Sequence, residues 1–365
     1  MNVCIIGDGL AALSLAKNLV NKKINVHIYY KKKNKNFNPN RTIGISRNNL
    51  QYFNEEIQDI PKKNIWKIKN IEIYSEKTPY NKIINFENNN KNLFSIVKND
   101  NIYRLLSNQL SKNKFYKKKI IKDNFFYQKL LRKNEYDLVI NCDSRNLIAK
   151  KYFIKTINKD YNNLAYTTIF NHQKLLNNTA IQIFTKYGPI AFLPTSDTET
   201  SVVYSIDTKN YRFKEKEIIE LIKKYNPKFV IKKISKLNKF KLKLSNSRIY
   251  YYKNIAAFGD CLHKIHPLAG QGFNMTIRDI KVISKIIQDR IDLGMNLDAS
   301  ILHKFEKKTK HVNFIFSNGI DIIYEIFNFD KSIKNKNLNN FLKYLGKNKI
   351  LNKFFVKYAD KGFHI

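Results

Sequence analysis

The chain has 365 residues and a formal net charge of +38, from 67 Lys and Arg against 29 Asp and Glu. This length can bury a large core, and we expect two interleaved domains. The basic residues are spread among asparagine and isoleucine and form no recognised nucleic-acid motif, so no nucleic-acid partner is expected. Three isolated cysteines, no signal peptide and no bilayer-length apolar run predict a cytoplasmic protein without a disulfide framework or a metal site.

The first 20 residues are typical of a dinucleotide-binding unit. Residues 3–6 form a continuous apolar run, which predicts a buried parallel strand, and residues 13–20 carry apolar side chains at helical spacing. Between them, residues 7–12 fit G-x-G-x-x-G/A. Gly7 permits the tight turn, Gly9 lets a pyrophosphate approach the backbone, and Ala12 lets the helix pack on the strand.

A second strand is predicted over residues 25–29, and the residue after it departs from the dinucleotide pattern. An acid that binds the ribose is expected there, but the chain has Tyr30, followed by three lysines. Tyr30 can offer a hydroxyl to the ribose without the negative charge. The lysines suit either a 2′-phosphate, as in NADP, or a solvated face, and we expect the solvated face.

Further along, the pattern alternates between strands and helices. Residues 41–46 are expected to be a loop leading into a helix, and the chain after residue 276 is expected to be mainly helical. Between these segments we predict β-rich excursions over 68–95, a helix and strand over 97–122, a buried strand ending at Asp143, alternating strands over 161–245 and a short strand over 254–258.

Residues 259–279, GDCLHKIHPLAGQGFNMTIRD, are the most informative segment. A Gly-Asp turn leads through His-x-x-His-Pro to a small-residue loop and then to an apolar helix. Such a loop lets backbone N–H groups approach a ligand, and a helix N-terminus adds partial positive charge. The segment therefore predicts a site for a flat, anionic group.

Three motifs carry a resemblance to a known family. They are the glycine turn at 7–12, the run Gln182-x-Phe184 with 187–194 (YGPIAFLP), and residues 259–279. Together they resemble the ubiquinone-biosynthesis hydroxylases of the 2-polyprenyl-6-methoxyphenol hydroxylase type, a branch of the class A FAD-dependent aromatic monooxygenases. Leu302-x-x-Phe305-Glu306 and residues 319–321 also fit.

The resemblance implies an α/β fold with a Rossmann-like FAD-binding domain, an interleaved β-sheet substrate domain and a helical C-terminus. The FAD-binding domain would be discontinuous, comprising residues 1–67, 97–160 and 246–295. The substrate domain would comprise residues 68–96 and 161–245, and the helical region residues 296–365.

The resemblance also implies roles for individual residues. Arg41 would lie near the flavin, Asp260 at the ribityl or pyrophosphate region, and Pro267 beside the ring. The full set expected to bind the cofactor is Gly7, Gly9, Leu10, Ala11, Ala12, Tyr30, Arg41, Asp143, Gly259, Asp260, Pro267, Ala269, Gly270, Gln271, Gly272, Phe273 and Asn274.

The implied reaction is hydroxylation of a polyprenylated phenol in ubiquinone biosynthesis. FAD, once reduced by NAD(P)H or a partner reductase, would react with O2 to give a C4a-hydroperoxide. His266 and Pro267 are the catalytic candidates, because histidine titrates near neutral pH and can take a proton from the phenol. The alternative for His263 and His266 is structural, in which both hydrogen-bond the loop beside the flavin, and we prefer it for His263.

Two family positions are altered, which leaves other functions open. Tyr30 replaces an acid, and Asp143-Ser144 replaces Asp-Gly. The alternatives are a non-catalytic or weakly flavin-binding subunit of a quinone-synthesis complex, and another FAD oxidoreductase on the same fold. The basic, amphipathic pattern at 349–358 predicts either docking to a membrane surface, at the inner face of the membrane, or a helix packed on its own domain.

Overall fold

The structure is a computed structural model that describes residues 1–32, 41–76, 82–87, 92–132, 135–265 and 271–332. Two of the predicted segments lie outside these residues. One is 266–270, which holds the catalytic candidates His266 and Pro267 and the cofactor candidates Ala269 and Gly270. The other is the amphipathic segment at 349–358.

The first large sheet has six strands. Its central strand is β1 (Asn2–Ile6), which pairs in parallel with β2 (Asn25–Tyr30) on one side and with β9 (Leu138–Asn141) on the other. The other strands are β8 (Tyr116–Ile120), β16 (Tyr251–Tyr252) and β17 (Ile255–Ala257), and the order across the sheet is β16-β17-β9-β1-β2-β8. The carboxyl ends of β1, β9 and β17 therefore meet at one edge, where parallel sheets bind ligands.

Helices cover this sheet because both of its faces are apolar. Residues 3–6 are at most 1% exposed, and they form one core cluster with the buried faces of the helices. The helices of this part of the chain are α1 (Leu10–Asn21), α2 (Arg47–Tyr52) continued by a π-helical turn (Phe53–Ile57), α3 (Asn99–Ser111), α4 (Phe125–Arg132) and α5 (Leu147–Tyr152).

A second sheet of nine strands is mainly antiparallel. Along the sheet the order is β18-β15-β10-β13-β12-β11-β5-β6, with β14 also paired to β10. The bounds are β5 (Asn70–Ser75), β6 (Ile84–Glu87), β10 (Thr156–His172), β11 (Thr179–Thr185), β12 (Gly188–Pro194), β13 (Glu199–Asp207), β14 (Ile231–Ile234), β15 (Asn238–Ser247) and β18 (His263–Lys264). One face is covered by α6 (Glu215–Lys224), whose Ile218 and Ile222 are fully buried.

A small third sheet corrects the sequence-based expectation for residues 41–46. These residues are not a loop, because Thr42–Ser46 forms β3 and pairs antiparallel with β7 (Phe94–Lys98), which in turn pairs with β4 (Trp66–Ile68). The short run TIGIS gains its strand conformation from partners about 50 residues away. Such distant pairing cannot be read from a local pattern.

The described residues from 271 to 332 are mainly helical, as predicted. Helix α7 spans Gln271–Asp292 and α8 spans Ala299–Ser332. The observed mixed α/β architecture agrees with the predicted fold class. The predicted domain division stays a prediction, and β10 crosses its boundary at residues 160–161. Within the described ranges, no helix has the length and apolar character needed to cross a membrane.

Candidate functional site

The turn after β1 leaves open space where the sequence predicts a pyrophosphate. Gly7 has a φ of +113°, which L side chains rarely adopt, and Gly9 is exposed. A Cβ atom added to Gly9 would meet no heavy atom of the described residues within 4 Å. A ligand can therefore approach the backbone of Gly9 closely.

Helix α1 begins at this turn with its N-terminus open. Gly9 occupies the N-cap, no side chain in the described part of the chain caps the helix, and its first turn holds no acid. The leading N–H groups of an α-helix have no partner within the helix and carry partial positive charge. At Leu10, Ala11 and Ala12 this arrangement fits an anionic group such as a phosphate.

Two further predicted segments pack directly on this turn. The nearest atom to a Cβ built on Gly7 would be Cys142 Cβ, at 3.4 Å, with the amide nitrogen of Asp143 at 3.6 Å. Gly259 has a φ of +55°, and a Cβ there would lie 2.6 Å from Ala11 Cβ. The close approach at Gly259 therefore requires glycine. The structure brings residues 7–12, 142–143 and 259–260 together at one edge of the six-stranded sheet.

The turn at Asp143-Ser144 accommodates serine without backbone strain. Ser144 does not have a positive φ, so a side chain is tolerated there. Its hydroxyl accepts a hydrogen bond from Lys264 Nζ at 2.9 Å, which ties the end of β9 to β18. Asp143 Oδ1 accepts a bond from the backbone N–H of Arg145 at 3.1 Å. The sequence did not reveal the role of Lys264, because its partner lies 120 residues earlier in the chain.

The segment from 259 to 264 connects the two large sheets. It leaves β17, makes a short 3-10 turn (Gly259–Cys261) with Asp260 exposed, and enters β18, which pairs with β15. His263 is buried, and its Nε2 lies 2.6 Å from Asp279 Oδ2. Asn313 Nδ2 donates to the other oxygen of Asp279 at 3.0 Å. His263 therefore joins β18 to α7 and α8, in line with a structural role.

The start of α7 is clamped to β3 by one side chain. Asn274 is 1% exposed, and its Oδ1 accepts bonds from the backbone N–H of Ser46 and from Asn49 Nδ2, both at 2.9 Å. Its Nδ2 donates to the carbonyl of Gly44 at 2.8 Å. The amide is thus committed to the protein, so any contact of residue 274 with a cofactor would come from its backbone. Gln271, Gly272 and Phe273 form the preceding part of this first turn.

Two further predicted cofactor residues, Arg41 and Tyr30, lie next to the start of β3 and at the end of β2. Arg41 is exposed just before β3, with its guanidinium carbon 5.7 Å from the ring centre of Phe240 on β15. Tyr30 ends β2, and the ammonium of Lys118 stands 4.3 Å from the centre of its ring. Lys31 Nζ donates to Asn124 Oδ1 at 3.0 Å, which agrees better with a surface lysine than with a phosphate ligand.

The thiols near the site are protonated at neutral pH. Burial raises the pKa of Cys261 to about 12 and raises that of Cys142 well above its usual value, and the carboxylates of Asp143 and Asp260 add to both shifts. Neither thiol is suited to nucleophilic chemistry. Across the described ranges, no group of three or more His, Cys, Asp or Glu side chains is placed to hold a metal ion.

The face of the nine-stranded sheet opposite α6 is turned towards the third sheet. Thr42 Oγ1 on β3 donates to Ser201 Oγ on β13 at 3.0 Å. Strand pairing places Gln182 opposite Ala191, and Ala191 opposite Val203, on this same face. The Nε2 atom of Gln182 is buried and has no hydrogen-bond partner among the described residues. A buried donor of this kind suits a polar group of a ligand.

Solved structures with this fold support the assignment of its class. A p-nitrophenol 4-monooxygenase from Pseudomonas putida DLL-E4 superposes with a TM-score of 0.76 at 12% identity, covering 100% of this chain and 98% of that one. HpxO of Klebsiella pneumoniae, complexed with FAD and uric acid, gives a TM-score of 0.72 at 11% identity, covering 99% and 97%. The chain therefore has the fold of the class A FAD-dependent monooxygenases, as its motifs predicted.

Relatives by sequence carry the names that the motifs led us to expect. A mitochondrial ubiquinone biosynthesis monooxygenase of Dictyostelium discoideum is 25% identical over 255 residues, 56% of this chain and 51% of that protein. The 3-demethoxyubiquinol 3-hydroxylase of Escherichia coli (strain K12) is 28% identical over 152 residues, 40% of this chain and 39% of that protein. The match thus spans about half or less of these relatives. It confirms the predicted resemblance.

A family model also matches this sequence. The squalene epoxidase model matches residues 137–358, a segment that includes β9, the nine-stranded sheet from β10 onward and the sequence motif at 259–274. Because the match extends over more than half of the sequence, the chain belongs to the squalene epoxidase family.

Proposed function

We propose that this protein is an FAD-dependent monooxygenase that hydroxylates the ring of a polyprenylated phenol in ubiquinone biosynthesis. The observation that carries the proposal is the meeting of residues 7–12, 142–143 and 259–260 beside the open N-terminus of α1. The names of the relatives, and the isoprenoid character shared by squalene and ubiquinone, support a lipid-like substrate.

The residues present fit a bound FAD. The free N–H groups at the start of α1 and the open space over Gly9 would hold the pyrophosphate. Asp260, exposed at its turn, would meet the ribityl chain, and the first turn of α7 would face the flavin ring with its partial positive charge. When bound, FAD supplies the redox chemistry that activates O2, with electrons from NAD(P)H or a partner reductase.

The sheet face that carries Gln182 is our proposed site for the phenol. Ala191 and Val203 are small neighbours on this face, and the third sheet lies over its end through Thr42 and Ser201. The Nε2 atom of Gln182 can donate to the phenolic oxygen, which would satisfy a donor that the described protein leaves unpaired. The apolar surroundings would exclude water from the ring.

His266, with Pro267 beside it, remains our proposed catalytic pair. Removal of the phenol proton makes the ring more electron-rich, and an imidazole near neutral pKa is suited to accept that proton. These residues follow the described segment that ends at Ile265, so the proposal rests on their place in the motif.

Steady-state assays of three FAD-loaded proteins test the roles of Gln182 and His266. We expect His266→Ala to keep bound FAD and to lower kcat by about 100-fold or more, since general acid–base catalysis contributes on that scale. Gln182→Leu should raise KM by about tenfold through loss of one hydrogen bond, with FAD affinity unchanged. Wild-type turnover in the His266 variant would remove that residue from the mechanism, and an unchanged KM would remove Gln182 from the substrate site.

We also propose that residues 349–358 dock the protein on an anionic membrane surface, where a polyprenylated substrate resides. The support is the sequence pattern of apolar residues at helical spacing with interspersed lysines. Flotation with vesicles containing anionic phospholipid should recover the full chain at low salt and lose a variant that ends at residue 330. Equal flotation of both proteins would rule out this segment as the anchor.

A further inference from the structure

The adenosine end of the proposed FAD site lacks its usual acid. In dinucleotide-binding folds, a carboxylate at the end of the second strand accepts hydrogen bonds from the ribose hydroxyls. Here Tyr30 ends β2, and a phenol hydroxyl carries no negative charge at neutral pH. A carboxylate from elsewhere in the chain is therefore needed for an equally strong acceptor, given that the proposed function is correct.

Asp8 supplies a carboxylate at this place. It lies within the glycine turn, between Gly7 and Gly9, and its Oδ2 is 3.3 Å from Lys118 Nζ. The same ammonium stands 4.3 Å from the centre of the Tyr30 ring. Lys118 thus draws the Asp8 side chain towards the end of β2. The Asp8 and Lys118 side chains are 25% and 27% exposed, so a ligand can reach them.

The charges around Asp8 suit this role. A lone carboxylate in the glycine turn would repel a pyrophosphate, and the adjacent Lys118 ammonium offsets that charge. Burial, followed by the neighbouring Tyr103, Asp8 and Tyr30, raises the pKa of Tyr116, which therefore adds no negative charge at neutral pH. Asp8 can then accept hydrogen bonds from neutral hydroxyls without a net negative field.

We propose that Asp8 accepts the ribose hydroxyls of the adenosine half of FAD, with Lys118 as the positioning residue that holds it beside Tyr30. The carboxylate function has moved from the end of β2 to the glycine turn. The ammonium of Lys118 then rests against the ring of Tyr30, and the Tyr30 hydroxyl is not required for FAD affinity.

Titration of the apoprotein with FAD and with FMN, which lacks the adenosine half, tests this assignment by flavin fluorescence. We expect Asp8→Asn to weaken FAD binding by about tenfold or more, since hydrogen bonds to charged groups are stronger than those between neutral groups. FMN affinity should not change. Lys118→Met should weaken FAD binding less than Asp8→Asn does. In a protein that already carries Asp8→Asn, the effect of Lys118→Met should largely vanish. Lys117→Met, which removes the same charge from the next residue of β8, is the matched control and should bind FAD like the wild type.

A rescue variant separates this role from a general loss of structure. Tyr30→Glu returns an acid to the end of β2, so it should restore FAD affinity in the Asp8→Asn protein. Unchanged FAD affinity in Asp8→Asn, or an equal loss for FMN, would overturn the assignment of Asp8 while leaving the enzyme proposal intact. Failure of the wild-type protein to bind FAD would overturn both.

Discussion

Gly9 and Gly188 both need to be glycine, for different physical reasons. Gly188 has a φ of +144°, and a Cβ there would lie 1.9 Å from the backbone oxygen of Ser205, so its role is structural. At Gly9 the backbone is extended, with φ at −77°, and a Cβ would meet none of the described atoms. The absence of a side chain at Gly9 has no structural cause in the described protein, which indicates space kept for a ligand.

Alanine at each position should therefore give opposite results. Gly188→Ala should destabilise the fold by more than about 3 kcal/mol, because backbone strain and a backbone clash add together. Gly9→Ala should lower the free energy of unfolding by no more than about 1 kcal/mol, because Ala is a poorer N-cap residue but meets no clash at this exposed position. Gly9→Ala should nonetheless weaken FAD binding strongly. Chemical denaturation and flavin titration measure the two effects, and normal FAD binding by Gly9→Ala would contradict the placement of the pyrophosphate.

At the scale of elements, the sequence predicted those whose signal is local. Strands β1, β9 and β17 are short apolar runs next to glycine or acidic turns, and α1 has clear helical spacing, so each was found. Strand β3 was missed because its partner β7 lies about 50 residues along the chain. A strand that depends on a distant partner leaves little trace in its own residues.

The same distinction explains which site contacts were missed. The motifs predicted that residues 7–12 and 259–274 belong to one site, but not that Gly259 packs on Ala11. The hydrogen bond from Lys264 to Ser144 and the Asp8–Lys118 pair join residues more than 100 positions apart. Asn274, predicted to lie beside the cofactor, also uses its side chain to fasten α7 to β3 and α2. These contacts follow from the assembled fold.

For the whole molecule, the two large sheets carry the two parts of the proposed site, and one segment of the chain connects them. The six-stranded sheet presents the cofactor turns at its edge, and the nine-stranded sheet presents Gln182 on the face turned towards β3. The 259–264 segment connects the two sheets, since it follows β17 and ends in β18. We propose that the phenol lies between the cofactor edge and the apolar sheet face, which would exclude water from the reaction.

We propose that the protein inserts one atom of O2 into a phenol ring. The most direct measurement is mass spectrometry of the product made by the FAD-loaded protein from a polyprenylated phenol under ¹⁸O2, with a reductant supplied. We predict one ¹⁸O atom on the ring, with no label when ordinary O2 and H2¹⁸O are used instead. A product without ring-bound ¹⁸O, or with ring oxygen that comes from water, would contradict the proposed monooxygenase reaction.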